Sequence, residues 1–380
     1  MLPDPMIATF TLSMVSPDCS PDFGQFSMLA RAAAVYQRFA YSHFGFHEWT
    51  PQIDRHSLTL KPALQQQDRR SVVTLDEPTR AFLERATATP PLPPGSLPLK
   101  EFRAAVESLR PSTFDRIELA EVRDLTCPGP GATTVSARFY RPEAGTSAPL
   151  VVWAHGGQWV RTTVDLLDTF FRHVAHRSGC AVLAVDYEHA PESRFPAQIE
   201  QIYAAALWAQ EQNGQLDCDT GRLAIAGDSS GANLAAAVAL LARERGRLQF
   251  QHQLLLVPLL DTLFDSASWR ELGQDYLLSV EQLTWALRNY APGVDRRHPL
   301  LSPLHAEDLS ALPPTTIIVG EFDPLRDDGL AYARRLEADG VAVKTIDVES
   351  LLHHAMVIPK ALPQGRVAVE AAADALANCW

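Results

Sequence analysis

The chain has 380 residues, of which 46% are hydrophobic, and its formal net charge is −12 at pH 7. This length and composition favour one large α/β core with an additional cap, and they argue against general disorder. The negative charge opposes non-specific binding to nucleic acid, and no basic cluster interleaved with aromatic residues offsets it.

The cysteines and the N-terminus bear on the cellular compartment. Five cysteines, an odd number, stand at positions 19, 127, 180, 218 and 379 without metal-ligand spacing. Reduced thiols in a cytoplasmic protein are the simplest interpretation. The apolar stretch at residues 7–15 follows no cationic region and is too short to span a bilayer. We therefore expect a cytoplasmic protein without a membrane span.

Three zones follow one another along the chain. Residues 1–70 form an extension of unclear role, in which residues 28–39 fit an amphipathic helix. Its histidines at 43, 47 and 56 fit no zinc-binding pattern, so we expect no metal site. Residues 71–115 contain two helix candidates around a proline-rich linker at 90–95.

In residues 116–380 strands and helices alternate, which predicts a mostly parallel sheet. We expect its first strands, near 117–124 and 134–140, to be antiparallel.

A pair of glycines follows the predicted buried strand at 149–152, in the segment His155-Gly156-Gly157-Gln158. Glycines let the backbone approach a substrate carbonyl and direct N–H groups towards it. A plain glycine turn after a strand is the alternative interpretation. We expect His155 to fix this loop by hydrogen bonding, and we interpret Asp186, Tyr187 and Glu192 further along as structural ties.

The most informative segment is Gly227-Asp228-Ser229-Ser230-Gly231, between the apolar run 222–226 and an alanine- and leucine-rich stretch at 232–245. It predicts a strand, a sharp turn and a helix, with Ser229 at the apex and glycines where side chains would clash. A nucleophilic serine needs oxyanion donors, an acid and a base. We predict that the N–H groups of Gly156, Gly157 and Ser230 form the oxyanion hole.

The acid and the base are expected later in the chain, in that order. Asp323 follows the apolar run 315–319 and therefore lies at the carboxyl end of a strand, where catalytic groups collect. Asp327 and Asp328 are interpreted as the acidic start of the next helix. The base is His353 or His354, which follow a predicted last strand at 341–348.

Together these motifs resemble the hormone-sensitive-lipase-like branch of the α/β-hydrolases, the bacterial carboxylesterases in particular. The resemblance covers roughly residues 71–375. The segments that carry it are His155-Gly156-Gly157, Asp186-Tyr187-Glu188-His189-Ala190-Pro191-Glu192, Gly227-Asp228-Ser229-Ser230-Gly231-Ala232-Asn233-Leu234, Ser302-Pro303-Leu304 and Asp323-Pro324-Leu325-Arg326-Asp327.

The resemblance implies the α/β-hydrolase fold, with an N-terminal helical cap at 71–115 and a cap insertion near 262–295 in the core at 116–380. It implies Ser229 as nucleophile and Asp323 as the acid that orients the base. Counting from Gly340 along the family pattern assigns the base to His353 rather than His354. The expected function is hydrolysis of short- to medium-chain carboxylic esters through a Ser-His-Asp triad and a covalent acyl-enzyme. No cofactor is expected, the partner is a small ester, and a homodimer is a candidate assembly.

Two departures from the family pattern affect the site. Gln158 replaces a third glycine, so we expect narrower acceptance of bulky acids or alcohols, and His354-Ala355 replaces a glycine and a packing aromatic. An amidase, a formamidase or an acyltransferase would use the same residues. A non-catalytic receptor is the remaining alternative, because plant gibberellin receptors resemble this family but lack the histidine. Trp269, Tyr276, Trp285 and Tyr290 are interpreted as core residues.

Overall fold

The computed structural model describes residues 75–88, 93–108, 114–144, 147–211 and 216–380. The N-terminal extension, with its predicted helix and its histidines, lies outside these residues, as does the first part of the linker at 90–95. Within the described ranges, no helix is both long enough and apolar enough to cross a bilayer. No group of three or more histidine, cysteine or acidic side chains in these ranges is arranged to hold a metal ion.

Within the described residues, eight strands form a single sheet. They are β1 (Glu121–Pro128), β2 (Thr134–Arg141), β3 (Pro149–Ala154), β4 (Ala181–Asp186), β5 (Asp219–Asp228), β6 (His252–Leu256), β7 (Thr315–Phe322) and β8 (Val343–Leu352). Their order is β1-β2-β4-β3-β5-β6-β7-β8. β2 is antiparallel to both β1 and β4, and the remaining neighbours are parallel. The predicted mostly parallel sheet with antiparallel first strands is thus confirmed, although β1 begins later than expected.

Helices cover both faces of the sheet. They are α1 (Glu77–Thr87), α2 (Leu99–Ser108), α3 (Asp168–Ser178), α4 (Ala197–Glu211), α5 (Ser230–Arg245), α6 (Ala267–Leu272), α7 (Val280–Tyr290), α8 (Arg326–Ala338) and α9 (Pro363–Ala377). Single 3₁₀ turns lie at Pro303–His305 and His353–Val357. α5 is buried from Ser230 to Ala242, and its small side chains let it lie close to the sheet. It ends at Gly246, which adopts the left-handed conformation that favours glycine.

The two faces of the sheet contribute to two separate hydrophobic cores because side chains alternate along a strand. In β3, Leu150, Val152 and Ala154 pack into the core beneath α4, α5 and α8. Val151 and Trp153 point the other way, into the core beneath α3 and α9. All of β3 is buried, which explains why its sequence is continuously apolar rather than alternating.

The segments expected to form a cap lie in different places. In α1, the N-cap Asp76 accepts a hydrogen bond from Gln364 of α9, and its N–H donates to Ser350 of β8. In α2, the Phe102 ring packs edge-on against Trp285 of α7, with 5.6 Å between ring centroids. α6 and α7 lie between β6 and β7, in the region 262–295. α2 thus contacts the inserted helices, whereas the start of α1 is held by β8 and α9.

Arg103 joins α2 to the core, and its loss should destabilise this contact. Its guanidinium donates to the carbonyls of Val160 and Ala190 at 2.7 Å each and to Glu192 at 2.8 Å. Glu192 is largely exposed, so the ion pair contributes little, whereas both carbonyls belong to fully buried residues. Arg103→Leu should lower the free energy of unfolding by about 1–3 kcal/mol, measured by urea denaturation. Lys100→Leu, on the exposed surface of the same helix, should change it by less than about 0.5 kcal/mol; equal losses would contradict this role of Arg103.

Candidate active site

Ser229 lies at the turn between β5 and α5, in a conformation that few residues adopt. Its backbone has φ 55° and ψ −122°, a strained region for a residue with a side chain. A Cβ at Gly227 would overlap the Gly231 carbonyl at the start of α5. A Cβ at Gly231 would overlap the carbonyls of Ala154 and His155 at the end of β3. Both flanking glycines are therefore needed for the close approach of β3, β5 and α5.

Three predicted site residues meet at the carboxyl edge of the sheet. Ser229 Oγ lies 2.8 Å from His353 Nε2, and His353 Nδ1 lies 2.8 Å from Asp323 Oδ2. Asp323 follows β7 directly, and His353 is the first residue after β8. The exposed fractions of Ser229, His353 and Asp323 are 8%, 2% and 1%. The three polar groups thus form a continuous hydrogen-bonded chain that is almost fully shielded from water.

The partners of His353 fix its tautomer. Asp323 Oδ1 accepts a hydrogen bond from the Leu325 N–H at 2.9 Å, which holds the carboxylate in place beside the imidazole. An ionised carboxylate only accepts hydrogen bonds, so Nδ1 must carry the proton that it donates to Asp323. Nε2 of a neutral imidazole then presents a lone pair to the Ser229 hydroxyl. This arrangement can remove a proton from Ser229 Oγ.

His354 does not occupy this position. Its ring lies edge-on to the His353 ring, with 5.1 Å between centroids. Burial lowers the pKa of His354 well below its usual value, and the neighbouring His353 and Arg161 lower it further. Of the two adjacent histidines, the structure brings His353 into contact with Ser229.

His155 holds the glycine loop, as expected. Its Nδ1 is 2.8 Å from the Gly156 carbonyl, and its own carbonyl accepts a hydrogen bond from the Tyr187 hydroxyl at 2.7 Å. The His155 and Tyr187 rings are stacked, with 4.4 Å between their centroids. Asp186 accepts from the Val164 N–H at 3.2 Å. Asp186 and Tyr187 thus act as structural ties around the loop.

The contacts of Gly156 require a correction to the predicted oxyanion hole. Its N–H donates to Asp228 Oδ2 at 3.0 Å, and Asp228 Oδ1 accepts from Trp153 Nε1 at 2.9 Å. Burial raises the pKa of Asp228 despite these donors. The Gly156 N–H is therefore already paired within the protein. Of the three predicted donors, Gly157 and Ser230 have N–H groups without an acceptor among the described residues.

Gln158, where the motif departs from three glycines, is buried beside the loop. It has φ 58° and only 5% of its surface is exposed. It borders a cavity of about 60 Å³ together with Phe102, Arg161 and Trp285. Trp285, interpreted from the sequence as core, therefore lines a cavity. Arg161 and Phe102 were not identified from the sequence, because neither lies in a recognisable motif.

Two acidic residues expected at the start of a helix have a further role. α8 begins at Arg326, as predicted, and Asp327 accepts a hydrogen bond from the Ser268 N–H of α6 at 2.9 Å. Asp328 accepts from Trp269 Nε1 at 3.2 Å. Burial raises the pKa of Asp328 to about 8. These contacts join α6 to the segment that follows Asp323.

A strained serine follows the fifth strand in the chain, and a histidine and an aspartate from loops after later strands lie next to it. This arrangement defines the α/β-hydrolase class. Residues 151–357 match the model of a protein family whose members have the α/β-hydrolase fold. The carboxylic ester hydrolase LipN of Mycobacterium tuberculosis is 40% identical over 240 residues, covering 61% of this chain and 64% of LipN, just under two thirds of that relative. Ethyl acetate hydrolase of Pseudomonas putida is 34% identical over 62% of this chain and 76% of its own length.

Solved structures agree with this assignment. A hyperthermophilic esterase from the archaeon Pyrobaculum calidifontis superposes with a TM-score of 0.75 at 35% identity, covering 80% of this chain and 98% of that one. The chain belongs to the α/β-hydrolase family, in its hormone-sensitive-lipase-like carboxylesterase branch.

Proposed function

We infer that the chain is a serine hydrolase that cleaves carboxylic esters through a covalent acyl-enzyme. The observation that carries this proposal is the buried hydrogen-bonded chain Ser229–His353–Asp323, with 2.8 Å at each contact. The esterase relatives support ester cleavage as the reaction. The contact between Ser229 and His353 supports a nucleophilic mechanism, because a serine hydroxyl needs an adjacent base.

In the acylation step, Ser229 Oγ attacks the ester carbonyl carbon while His353 Nε2 takes the hydroxyl proton. Asp323 stabilises the imidazolium and preserves its orientation. The C–O bond to the alcohol then breaks, and His353 returns the proton to the leaving oxygen. In the second half, His353 takes a proton from water as the oxygen of that water attacks the acyl-enzyme carbonyl. The bond between the acyl carbon and Ser229 Oγ then breaks, and His353 gives its proton to Oγ as the acid leaves.

The oxyanion that forms in each half needs preorganised donors. The N–H groups of Gly157 and Ser230 are suited to this task, because they lack internal acceptors among the described residues, and Ser230 directly follows Ser229. Ser230 is the first residue of α5, so the partial positive charge of the helix N-terminus adds to the stabilisation. Loss of one such donor typically costs about 10²–10³ in rate.

The preferred substrates are proposed to be esters of short- to medium-chain acids. We assign the cap to α2 and α7, which meet through Phe102 and Trp285 and border a cavity together with Gln158. The side chain of Gln158 takes up space that a glycine would leave open. The name of the Pseudomonas putida relative, ethyl acetate hydrolase, agrees with a small acyl group.

Two measurements on the purified protein test this proposal. A fluorophosphonate should label the wild type at one equivalent and should fail to label Ser229→Ala. A series of p-nitrophenyl esters of graded acyl length should give the highest kcat/KM at short chains. Absence of labelling in the wild type would overturn the serine-hydrolase mechanism, and a maximum at long chains would overturn the proposed chain length.

A further inference from the structure

The segment that begins at the second glycine of the glycine pair is a turn with an uncommon backbone conformation. Gln158 and Trp159 have φ of 58° and 62°, values that a residue with a side chain disfavours. The N–H groups of Val160 and Arg161 both donate to the Gly157 carbonyl, at 3.2 and 3.1 Å, and close the turn. Such conformations persist only where neighbouring groups hold them. This strained turn, residues 157–162, therefore needs contacts that keep it in place.

The glycine pair at the start of the strained turn lies against the reacting serine. A Cβ at Gly156 would be 3.2 Å from the Ser229 Cβ, so the backbone of the pair and the nucleophile are in contact. Gly157 carries the N–H group proposed above to bind the oxyanion. A Cβ at Gly157 would overlap the Arg161 carbonyl, so the far end of the strained turn packs on this glycine. The conformation of the turn therefore sets the direction of the Gly157 N–H relative to Ser229.

A stack of two aromatic rings holds the middle of the strained turn. The Trp159 indole lies on the Tyr290 ring, with 4.7 Å between the centroids and 9° between the ring planes. Both residues are fully buried. Tyr290 is the last residue of α7, and its carbonyl accepts a hydrogen bond from the Phe195 N–H at 3.0 Å. The Phe195 ring also packs edge-on against the Tyr290 ring, at 5.8 Å. A separate segment thus fixes the ring that Trp159 contacts.

The contact between Trp159 and Tyr290 is made by ring faces. The Tyr290 hydroxyl and the Trp159 indole nitrogen have no hydrogen-bond partner among the described residues. Nearly parallel aromatic rings attract one another through their faces, without help from the hydroxyl. Tyr290→Phe would therefore keep the contact, whereas Tyr290→Leu would remove the flat face.

We propose that Tyr290 is a positioning residue for ester hydrolysis: its ring holds Trp159, and thereby keeps the strained turn in the conformation that directs the Gly157 N–H to the oxyanion. This inference rests on the proposed ester hydrolysis, and it gives α7 a role in oxyanion binding as well as in the cap. Tyr290 acts through Trp159 and not on the substrate. Without the stack, the turn relaxes and the donor leaves the position that stabilises the oxyanion.

The test compares Tyr290 with an equally buried tyrosine of the same hydrophobic core. Tyr332 of α8 is fully buried, and its hydroxyl also lacks a partner among the described residues. Tyr290→Leu and Tyr332→Leu therefore leave similar gaps, but only Tyr290→Leu removes the ring on which Trp159 is stacked. Tyr290→Met leaves a smaller gap and replaces Tyr290→Leu if that variant does not fold. Melting temperatures verify folding of each variant.

Loss of the stack should slow the chemical step more than it weakens substrate binding. Tyr290→Leu and Tyr290→Met should lower kcat for p-nitrophenyl butyrate by about 10–100-fold, less than the loss of a whole oxyanion donor. KM should change by less than about threefold, because the oxyanion forms only after the ester is bound. The affinity for trifluoromethyl propyl ketone, whose adduct with Ser229 carries an oxyanion, should fall by the same factor as kcat/KM. Tyr290→Phe and Tyr332→Leu should keep kcat within about threefold of wild type.

A double-mutant cycle tests whether Tyr290 acts through Trp159. Trp159→Leu should lower kcat by a factor similar to that of Tyr290→Leu, and the double variant should be little slower than the slower single variant. Losses that multiply in the double variant would mean that Tyr290 acts by another route, and they would overturn the inference.

The remaining outcomes separate this inference from the proposed function. If Tyr290→Leu and Tyr332→Leu lower kcat by the same factor, the effect is a general loss of packing and the inference is overturned. An unchanged kcat in a folded Tyr290→Leu or Tyr290→Met, or an unchanged affinity for the ketone, would also overturn it. If the wild type hydrolyses no ester and resists fluorophosphonate, the proposed function fails first and this inference fails with it.

Discussion

Replacing His353 with alanine should lower kcat for p-nitrophenyl butyrate by about 10⁴–10⁶-fold, because members of a serine-hydrolase triad act as a unit. The His353 Nε2 is the group within reach of the Ser229 proton, at 2.8 Å, and its Nδ1 is held by Asp323. Without the imidazole, the hydroxyl has no base and the leaving alcohol has no acid. KM should change much less than kcat, since the ring contacts the nucleophile rather than the distal parts of the ester.

The neighbouring residue supplies the matched control. His354→Ala should lower kcat by less than tenfold, because the His354 ring contacts His353 edge-on rather than Ser229. Its lowered pKa keeps it neutral at pH 7, so its removal takes no charge from the site. Melting temperatures of both variants would verify folding. If His354→Ala abolished turnover while His353→Ala retained it, the assignment of the base would be wrong.

The sequence predicted the serine turn because everything it needs is local. The strand, the two glycines and the helix are consecutive, and the steric reason for each glycine involves atoms of β3, β5 and α5 that this turn always brings together. The position of Asp323 was also predictable, since it follows directly from the end of β7. Both predictions depended on strand ends, which the apolar runs mark well.

The choice between His353 and His354 depended on a detail that the residues alone do not reveal. β8 continues to Leu352, beyond the predicted end at 348, and its pairing with β7 is irregular between Gly320 and Phe322. Ser350 has φ 55° at this irregularity. A bulge of this kind rotates the side chains that follow it, so it decides which histidine faces Ser229. Only the resemblance to a family had indicated His353.

The partner of the Gly156 N–H could not be predicted from the sequence for a similar reason. Two glycines after a strand look equivalent in the sequence, which does not show whether an N–H group is already paired within the protein. The carboxylate that pairs with Gly156 belongs to Asp228, at the end of a different strand. The cavity beside Gln158 is likewise formed by α2, α7 and the glycine loop, which are distant in the chain. Contacts between distant segments are the part of the site that local patterns do not contain.

Asp323→Asn should lower kcat by about 10⁴-fold with little change in overall structure. The carboxylate accepts the Nδ1 proton of His353 at 2.8 Å and the Leu325 N–H at 2.9 Å. Because the backbone N–H occupies the amide oxygen, the new NH₂ group would face His353 and donate to Nδ1. The proton would then lie on Nε2, where it blocks removal of the Ser229 proton. Steady-state kinetics of the variant at pH 7–8 would measure the loss.

Asp328→Asn is the matched control, since this carboxyl is also buried and lies nearby on α8. Its pKa of about 8 means that it is mostly protonated at pH 7, so an amide replaces it with little change in charge, and kcat should fall by less than threefold.

The folded wild type keeps the Asp328 proton up to about pH 8, whereas the unfolded chain releases it near pH 4. The wild type should therefore lose stability relative to Asp328→Asn as the pH rises from about 4 to 8. Thermal unfolding at pH 5, 7 and 9 would measure that difference, and a loss of kcat in Asp328→Asn as large as in Asp323→Asn would mean that burial of a carboxyl, rather than the tautomer of His353, sets the rate.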